Sequence, residues 1–368
     1  MKLSEITSVI TDYTSNGSFA DLRKKAKYVD KKEGYARVIR LTDENNKYSL
    51  DNAIYVNEKS YYFLSKSRLE NNDIIVSNVG AAGTVFQCPN LCIPMTLGPN
   101  AILIRSNEKA INKYLYYLLY SEYGYKKLTS LIAGSAVPKF NKTDLKSMDV
   151  TIHNLSEQQH IVNTIGTVDD LIENYQKQND ILSKLGIIKI NNYNNKYTSK
   201  SLSNIVKFEK GFEVGSSRYI EIAGIDLVPY LRVGDLLNQN NIFINENDSN
   251  KMASLDDILV AFDGAPGRNN FGLYGAFSSG IYNLKCDRKN KGLVFFEINS
   301  DFNQSVINNY SQGTTILHAS KSINYLIYAN ISELEKEELN KYFYFILQNK
   351  KKIILLNKIK NNLLNKYF

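Results

Sequence analysis

The stretch Leu69-Glu-Asn-Asn-Asp73-Ile74-Ile75-Val76 leads into Gly80-Ala-Ala-Gly83, and Ala253-Ser-Leu-Asp-Asp257-Ile258-Leu259-Val260 leads into Gly264-Ala-Pro-Gly267. The aspartate, the apolar triplet and both glycines recur at an offset of 184 residues. Each copy reads as a turn, a short buried strand and a loop whose glycines permit positive φ. A second correspondence follows at an offset of 179, Gly134-Ser-Ala-Val137-Pro138-Lys139 against Gly313-Thr-Thr-Ile316-Leu317-His318. An apolar run follows each, Met148 to Ile152 and Leu326 to Ile331. Several features recurring in one order at nearly constant offset mark two copies of one unit.

Each copy closes on a long helical pattern. Ile161, Ile165, Val168, Ile172, Tyr175, Asn179 and Leu182 follow steps of 4 and 3, a heptad stripe with one polar occupant, Asn179. Ser156 is placed to cap this helix, Asp169 and Asp170 to keep its opposite face wet, and Gly186 is its expected weak point or C-terminal end. Leu339, Phe343, Ile346, Ile353, Leu356 and Leu363 form the second stripe. Its acidic start (Glu333, Glu335, Glu337, Glu338) and basic end (Lys350 to Lys352, Lys358, Lys360, Lys366) suit the helix macrodipole. Two apolar seams are covered most economically by each other, as an antiparallel pair. The fold expected is therefore α+β: two tandem mixed α/β heads, residues 1–155 and 190–332, with a central helix over 156–189 and a C-terminal helix over 333–368 that pairs with it. Strands are expected at Tyr35–Leu41 and Pro229–Asp235, and short helices at Asn112–Tyr120 and Asn299–Asn309. The Tyr114, Tyr116, Tyr117 and Tyr120 cluster reads as packing.

The rest of the composition limits function. The chain has 368 residues, 43% hydrophobic and 22% charged, with a net charge of +8. That balance is compatible with a polyanionic partner. Residues 1–155 hold 21 basic and 15 acidic side chains, whereas residues 190–332 hold 13 of each. No apolar run is long enough to span a membrane, no secretory signal is expected, and three cysteines (Cys88, Cys92, Cys286) argue for a reducing, cytoplasmic setting. The six prolines are isolated, so the Asn/Asp-Pro-Pro-aromatic tetrapeptide of amino-methylating enzymes is missing. So is the G-x-x-x-x-G-K-[ST] phosphate loop. His153, His160 and His318 read as structural or surface groups, and scattered His and Cys leave no metal site. The chain is expected to catalyse nothing.

With the repeat laid out, the sequence resembles the specificity subunit of type I restriction–modification systems. The resemblance is carried by Gly134-Ser-Ala-Val-Pro-Lys-Phe-Asn-Lys-Thr-Asp-Leu-Lys-Ser-Met-Asp-Val-Thr-Ile152, running on through Leu155-Ser-Glu157-Gln158-Gln159-His-Ile161-Val162. The two aspartate-strand-glycine elements resemble an earlier part of the family's recognition domain. In the second copy Thr314 and Leu317 replace Ser and Pro, and Glu335-Lys336-Glu337-Glu338 replaces the glutamine-rich helix start. The resemblance implies two target recognition domains that read the halves of a bipartite, asymmetric site in double-stranded DNA, with the paired helices as a pseudo-twofold spacer. It implies as partners two methylation subunits, with or without two restriction/translocase subunits. S-adenosylmethionine, ATP and Mg belong to those partners, and this chain holds no cofactor. Candidates for DNA contact are Arg37, Arg40, Asn78 and Lys139 in the first head and Arg218, Arg232, Arg268, Asn269 and Asn270 in the second, since Arg and Asn can read base edges. An alternative from another class is a scaffold or decoy that binds methylation subunits without reading DNA; a third is a nuclease with an unrecognised site.

Overall fold

The computed structural model describes residues 1–50, 52–134, 137–237, 242–311 and 317–368. These divide into two compact units, Met1–Asp170 with Asn357–Phe368, and Leu171–Leu356.

The first unit contains β1 (Thr7–Asp12), α1 (Phe19–Lys25), β2 (Tyr28–Val29), β3 (Ala36–Ile39), α2 (Leu41–Asn45), β4 (Tyr55–Val56) and α3 (Glu58–Phe63). Then come β5 (Arg68–Leu69), β6 (Ile74–Ser77), β7 (Val85–Gln87), β8 (Met95–Leu97), β9 (Ala101–Ser106), α4 (Asn112–Tyr120), α5 (Glu122–Thr129), α6 (Lys142–Ser147) and the start of α7 (Leu155–Lys196). The strands form two sheets, ordered β1-β9-β6-β7 and β2-β4-β3-β8-β5. Among the described residues of this unit only β3 and β8 pair in parallel. The apolar triplet lies in β6, whose faces look onto different cores. Ile74 and Val76 pack with Tyr114, Leu118 and other helical residues, while Ile75 packs between the sheets with Ile39, Leu97 and Leu103. Covering both faces is what requires an unbroken apolar run in place of alternation.

The second unit repeats this plan with β10 (Ser199–Ser201), β11 (Lys207–Lys210), β12 (Leu227–Leu231), β13 (Phe243–Asn245), β14 (Met252–Ala253), β15 (Leu259–Ala261) and β16 (Asn269–Asn270). They are followed by β17 (Gly275–Phe277), β18 (Ile281–Lys285), α8 (Lys291–Ile298), α9 (Asp301–Asn309), β19 (Ile327–Ala329) and α10 (Glu333–Tyr367). Its four-stranded sheets are ordered β11-β18-β15-β16 and β13-β12-β17-β14, with β10 and β19 forming a separate antiparallel pair, and among the described residues there is again one parallel pair, β12 with β17. Ile258 and Val260 face one core, Leu259 and Ala261 the other. The chain start obeys the repeat too. Leu3 N–H donates to Met148 O at 2.9 Å, and Leu202 N–H donates to Leu326 O at the same distance.

The helices differ from expectation in detail. Asn154, not Ser156, begins α7, because its side chain accepts from Glu157 N–H while its own N–H donates to the Glu157 carboxylate, at 3.0 and 3.3 Å. Ser332 and Glu335 make the same box for α10. The first helix does not end near Gly186. It continues to Lys196, so the expected boundary at 189/190 falls inside it, and both compact units include part of each long helix. Gly186 is there for clearance: a Cβ would meet the Phe296 ring at 2.2 Å. The strand expected at Tyr35–Leu41 is shorter, since Leu41 already opens α2, and that expected from Pro229 to Asp235 ends at Leu231. Helix α4 falls where expected, α9 starts two residues late, and α8, wholly buried, has no amphipathic pattern to reveal it.

Antiparallel pairing of α7 and α10 is seen within each unit. In the first, Asp169 meets Lys360 at 2.7 Å and Tyr367 reaches His160 at 3.3 Å. Asp169 is thus no wet-face residue; it also accepts from Tyr117 Oη at 2.7 Å. In the second, Lys189 meets Glu338 at 2.9 Å, and the Asn349 amide donates to Asn179 at 3.0 Å and Gln178 at 3.2 Å. The polar occupant of the heptad is matched by a buried amide, a device that favours one register. Ile161 and Ile165 are buried with Leu364, and Val168 is buried as well. Leu339, Phe343 and Ile346 are buried too, chiefly in the core that includes Phe271, Phe295 and Phe296, with Leu182 against it. Ile172, Tyr175, Ile353 and Leu356 are half-buried.

Candidate nucleic-acid interface

In each unit the two glycine motifs, far apart in sequence, meet. Gly80 N–H donates to Pro138 O at 3.0 Å and Gly264 N–H to Leu317 O at 2.9 Å. Val79 bridges Lys139, and Asp263 bridges His318. Gly83 N–H returns to Ser77 O and Gly267 N–H to Ala261 O, at 2.8 and 2.9 Å. All four glycines have φ between 77° and 93°, where a side chain would be strained. Of the turn itself, Ser135, Ala136 and Gly313 to Ile316 lie outside the described residues.

The repeated aspartates anchor the strands leading to these loops. Asp73 accepts from Glu70 N–H and from two nitrogens of Arg105, all at 2.7 Å. Asp257 accepts from Ser254 N–H at 2.9 Å, Lys285 at 2.7 Å and Lys291 at 3.2 Å. Burial opposes the Asp257 charge, but the Lys285 bond, the Ser254 amide and Lys291 outweigh it and hold the carboxyl at about 2. These are structural ion pairs.

A further repeat sits after the parallel strands. Arg40 N–H and Nε donate to Asp43 at 3.0 and 2.8 Å, while Arg232 N–H and Nε donate to Asp235 at 2.8 and 3.4 Å. The spacing Arg-x-x-Asp occurs in the sequence at Arg40–Asp43 and Arg232–Asp235, but nothing local to it shows that the aspartate is buried. Each aspartate is buried and closes the following turn of helix.

This framework redistributes the candidates for DNA contact. Arg37 is ruled out: it is 2% exposed, and its guanidinium donates to Tyr48 O and Ser49 O at 3.0 and 2.8 Å. Its place in a strand covered on both sides leaves no outward position for it. Arg40 and Arg232 are held by their aspartates. Asn269 exchanges amide bonds with Asn299 at 2.9 and 3.0 Å, and Asn270 donates to Leu236 O at 2.7 Å while accepting from Lys350. Asn78 donates to Phe140 O at 3.1 Å, and half-buried Arg268 donates to Val233 O at 3.3 Å. Arg218 is exposed but paired with Asp248 at 2.7 Å. Lys139 is exposed beside the glycine loop, with no partner for its ammonium among the described residues. His318, its counterpart, pairs with Asp263 at 2.8 Å.

Sequence reading passed over a second surface in the first unit. The Arg68 guanidinium lies 4.7 and 5.0 Å from the Tyr61 and Tyr62 ring centres, and Tyr35 joins the same cluster. Exposed Tyr35 and Tyr62 in a cluster with the Arg68 guanidinium combine stacking faces with positive charge. The signal was available in Tyr61-Tyr62 and Arg68, but nothing local to those residues shows that Tyr35 joins them.

Fold and loops define a duplicated α/β module whose repeated motifs build a frame. Residues 2–183 match the family model of the type I restriction modification DNA specificity domain. The chain belongs to the family of type I restriction–modification specificity subunits. Two curated relatives come from Methanocaldococcus jannaschii. The type I restriction enzyme MjaIX specificity subunit is 27% identical over 218 residues, 52% of this chain and 49% of the relative. The putative MjaX specificity subunit is 27% identical over 164 residues, 43% of this chain and 39% of the relative. The matched stretch thus spans about half the length of the first relative and less of the second. Among solved structures, the type I restriction-modification S subunit from M. genitalium shares the fold with a TM-score of 0.52 at 17% identity, covering 100% of this chain and 95% of that one. The matching family model describes a DNA specificity domain, not a catalytic one. Among the described residues no helix is long and apolar enough to cross a membrane.

Proposed function

We propose that this chain is the DNA-recognition and scaffold subunit of a type I restriction–modification complex. Each unit reads one half of a bipartite, asymmetric site in double-stranded DNA. The paired α7 and α10 recruit two methylation subunits, and restriction subunits, where they accompany them, join the same complex. S-adenosylmethionine, ATP and Mg belong to those partners. The observation that supports this most is duplication: two units whose equivalent strands follow the same order, with one glycine-loop junction and one Arg-x-x-Asp turn, each including part of both long helices. One recognition frame used twice suits a site read in two halves. Base flipping and methyl transfer then fall to the recruited subunits.

The test is to assemble the chain with its cognate methylation subunits, expose DNA to the complex and map the methylated adenines. Two short half-sites at a fixed gap are expected. Methylation without sequence preference, or at one uninterrupted short site, defeats the reading. The internal bonds occupying Arg37, Arg40, Arg232, Asn269 and Asn270 favour a second reading, a scaffold that binds methylation subunits without reading DNA. Normal assembly with no sequence-directed methylation would select it.

A further inference from the structure

The frame is the same in both units, but one connection on it is not. In the first unit residues 13–35 join β1 to β3; in the second, residues 211–226 join the equivalent strands β11 and β12. The first connection carries six basic and three acidic side chains, the second one basic and three acidic. Arg23, Lys24, Lys27, Lys31 and Lys32 are exposed, and none of their charged groups has a partner among the described residues. Elsewhere in this unit Arg37, Arg40, Arg68, Arg105 and Lys142 are engaged, and exposed lysines without a partner among the described residues, such as Lys47, Lys59, Lys66, Lys109, Lys139 and Lys146, are spread singly along the sequence. The counterpart connection offers only Arg218, itself paired, among exposed Ile222 and Ile225.

The basic connection is also fixed in place. Ser18 caps α1, Asp21 pairs with Lys25 at 2.8 Å, and Ser60 on α3 donates to Lys25 O and accepts from Lys27 N–H, at 2.8 and 3.3 Å. Strand β2 is the sheet edge, paired with β4 alone. Phe19 stands 87% exposed one helical turn before Arg23. Cations that cancel no internal charge, held on an ordered edge beside exposed aromatic rings, match a phosphate backbone.

We infer that the α1–β2 edge of the first unit is the main phosphate-holding surface, and that the equivalent connection of the second unit contributes almost nothing to salt-dependent affinity. This rests on the DNA-binding reading above and deepens it, dividing labour unequally between units of one fold. Lysines flanking an edge strand can instead serve to repel other strands, a role that predicts no effect on DNA.

The experiment measures binding of the full chain to a fluorescent 40-base-pair duplex of mixed sequence by anisotropy, from 50 to 200 mM salt. The R23Q/K24Q/K27Q and K31Q/K32Q variants are compared with R218Q, and thermal melts check that each folds. Removing one cation that neutralises a phosphate lowers the log–log salt slope by about 0.9. The triple variant is expected to lose up to about 2.7 from the slope, so its affinity loss across that salt range is roughly 40-fold smaller than wild type. R218Q should keep the wild-type slope. A folded triple variant with a wild-type slope overturns the inference and leaves the DNA-binding reading standing. A wild-type chain that binds no duplex removes both.

Discussion

Glu297 offers a sharp test of how the second unit is built. It lies on α8, fully buried, with its carboxylate accepting from Ala329 N–H at 2.6 Å and from the Asn194 amide at 3.0 Å. Among the described residues it has no cationic partner. Burial drives its carboxyl up from 4.5 to about 7. At ~1.4 kcal/mol per tenfold change in proton affinity, that displacement is worth about 3 kcal/mol. The sign follows from linkage: the folded state holds this proton more tightly than the unfolded chain. Its contribution is therefore fully present below 4.5, is lost as pH rises through about 7, and stays lost above it. In Glu297→Gln the neutral amide removes the titration. Asn194 Oδ1, now buried without a partner, gains a donor if its amide turns over. Urea unfolding followed by far-UV circular dichroism, from pH 5 to 9, should show the variant close to wild type at pH 5 and more stable by about 2–3 kcal/mol at pH 8.5. A wild-type-minus-variant difference that is flat across that range would falsify the assignment of a lone buried carboxyl.

Three other outcomes follow from the helices. Gly186→Ala should destabilise by about 1–3 kcal/mol, because the new methyl meets Phe296. Gly166→Ala, on the same helix with only an ordinary 3.8 Å contact ahead of it, should stabilise by up to about 1 kcal/mol; equal signs in thermal melts would contradict this. Asn349→Leu strips the Asn179 amide of its partner and should cost about 1–2 kcal/mol, much of it recovered in N179L/N349L, as a double-mutant cycle would reveal. Ile165→Asp places a carboxylate in a fully buried position and should lower stability by more than about 3 kcal/mol, whereas Ile172→Asp, at a half-buried position, should cost clearly less. Comparable urea midpoints for those two variants would count against the burial assigned to the stripe.

The duplicated frame could be read from the sequence because its determinants are local. A buried strand between two cores must be apolar throughout, and a loop that turns through positive φ needs glycine, so Ile74 to Val76 with Gly80 and Gly83 declare themselves and their repeats. The stripe from Ile161 to Leu182 declared a helix in the same way. What escaped was set by tertiary contact. Gly186 looks like a helix breaker until the Phe296 ring is placed against it, and Asp169 looks solvated until Tyr117 and Lys360 arrive from elsewhere in the chain. The DNA-contact candidates suffered most. Arg37 and Asn269 have the chemistry to read bases, but burial and an unforeseen amide partner decide where that chemistry is used.

The same contrast separates shared architecture from variable recognition within this one molecule. Positions that agree between the units are those the frame requires: Asp73 with Asp257 and Asp43 with Asp235, whose side chains turn inward, and the paired glycines, whose backbone takes positive φ. Each satisfies backbone groups or strand geometry that any sequence on this frame must satisfy. Positions that disagree, above all the charged side chains between Arg23 and Lys32 against those between Glu213 and Asp226, largely face solvent, whereas Leu22, Ala26 and Val214 in the same connections are buried. A frame that fixes its strands through buried aspartates can exchange the exposed side chains of the intervening connections at little cost in stability, because they are mostly not part of its bonding. Ile222→Lys with Ile225→Lys, at two exposed positions of the second connection, should therefore preserve folding while raising the salt dependence of DNA binding. A folded double variant that leaves that dependence unchanged would mean that position on the frame, and not the charge carried there, decides which unit grips the backbone.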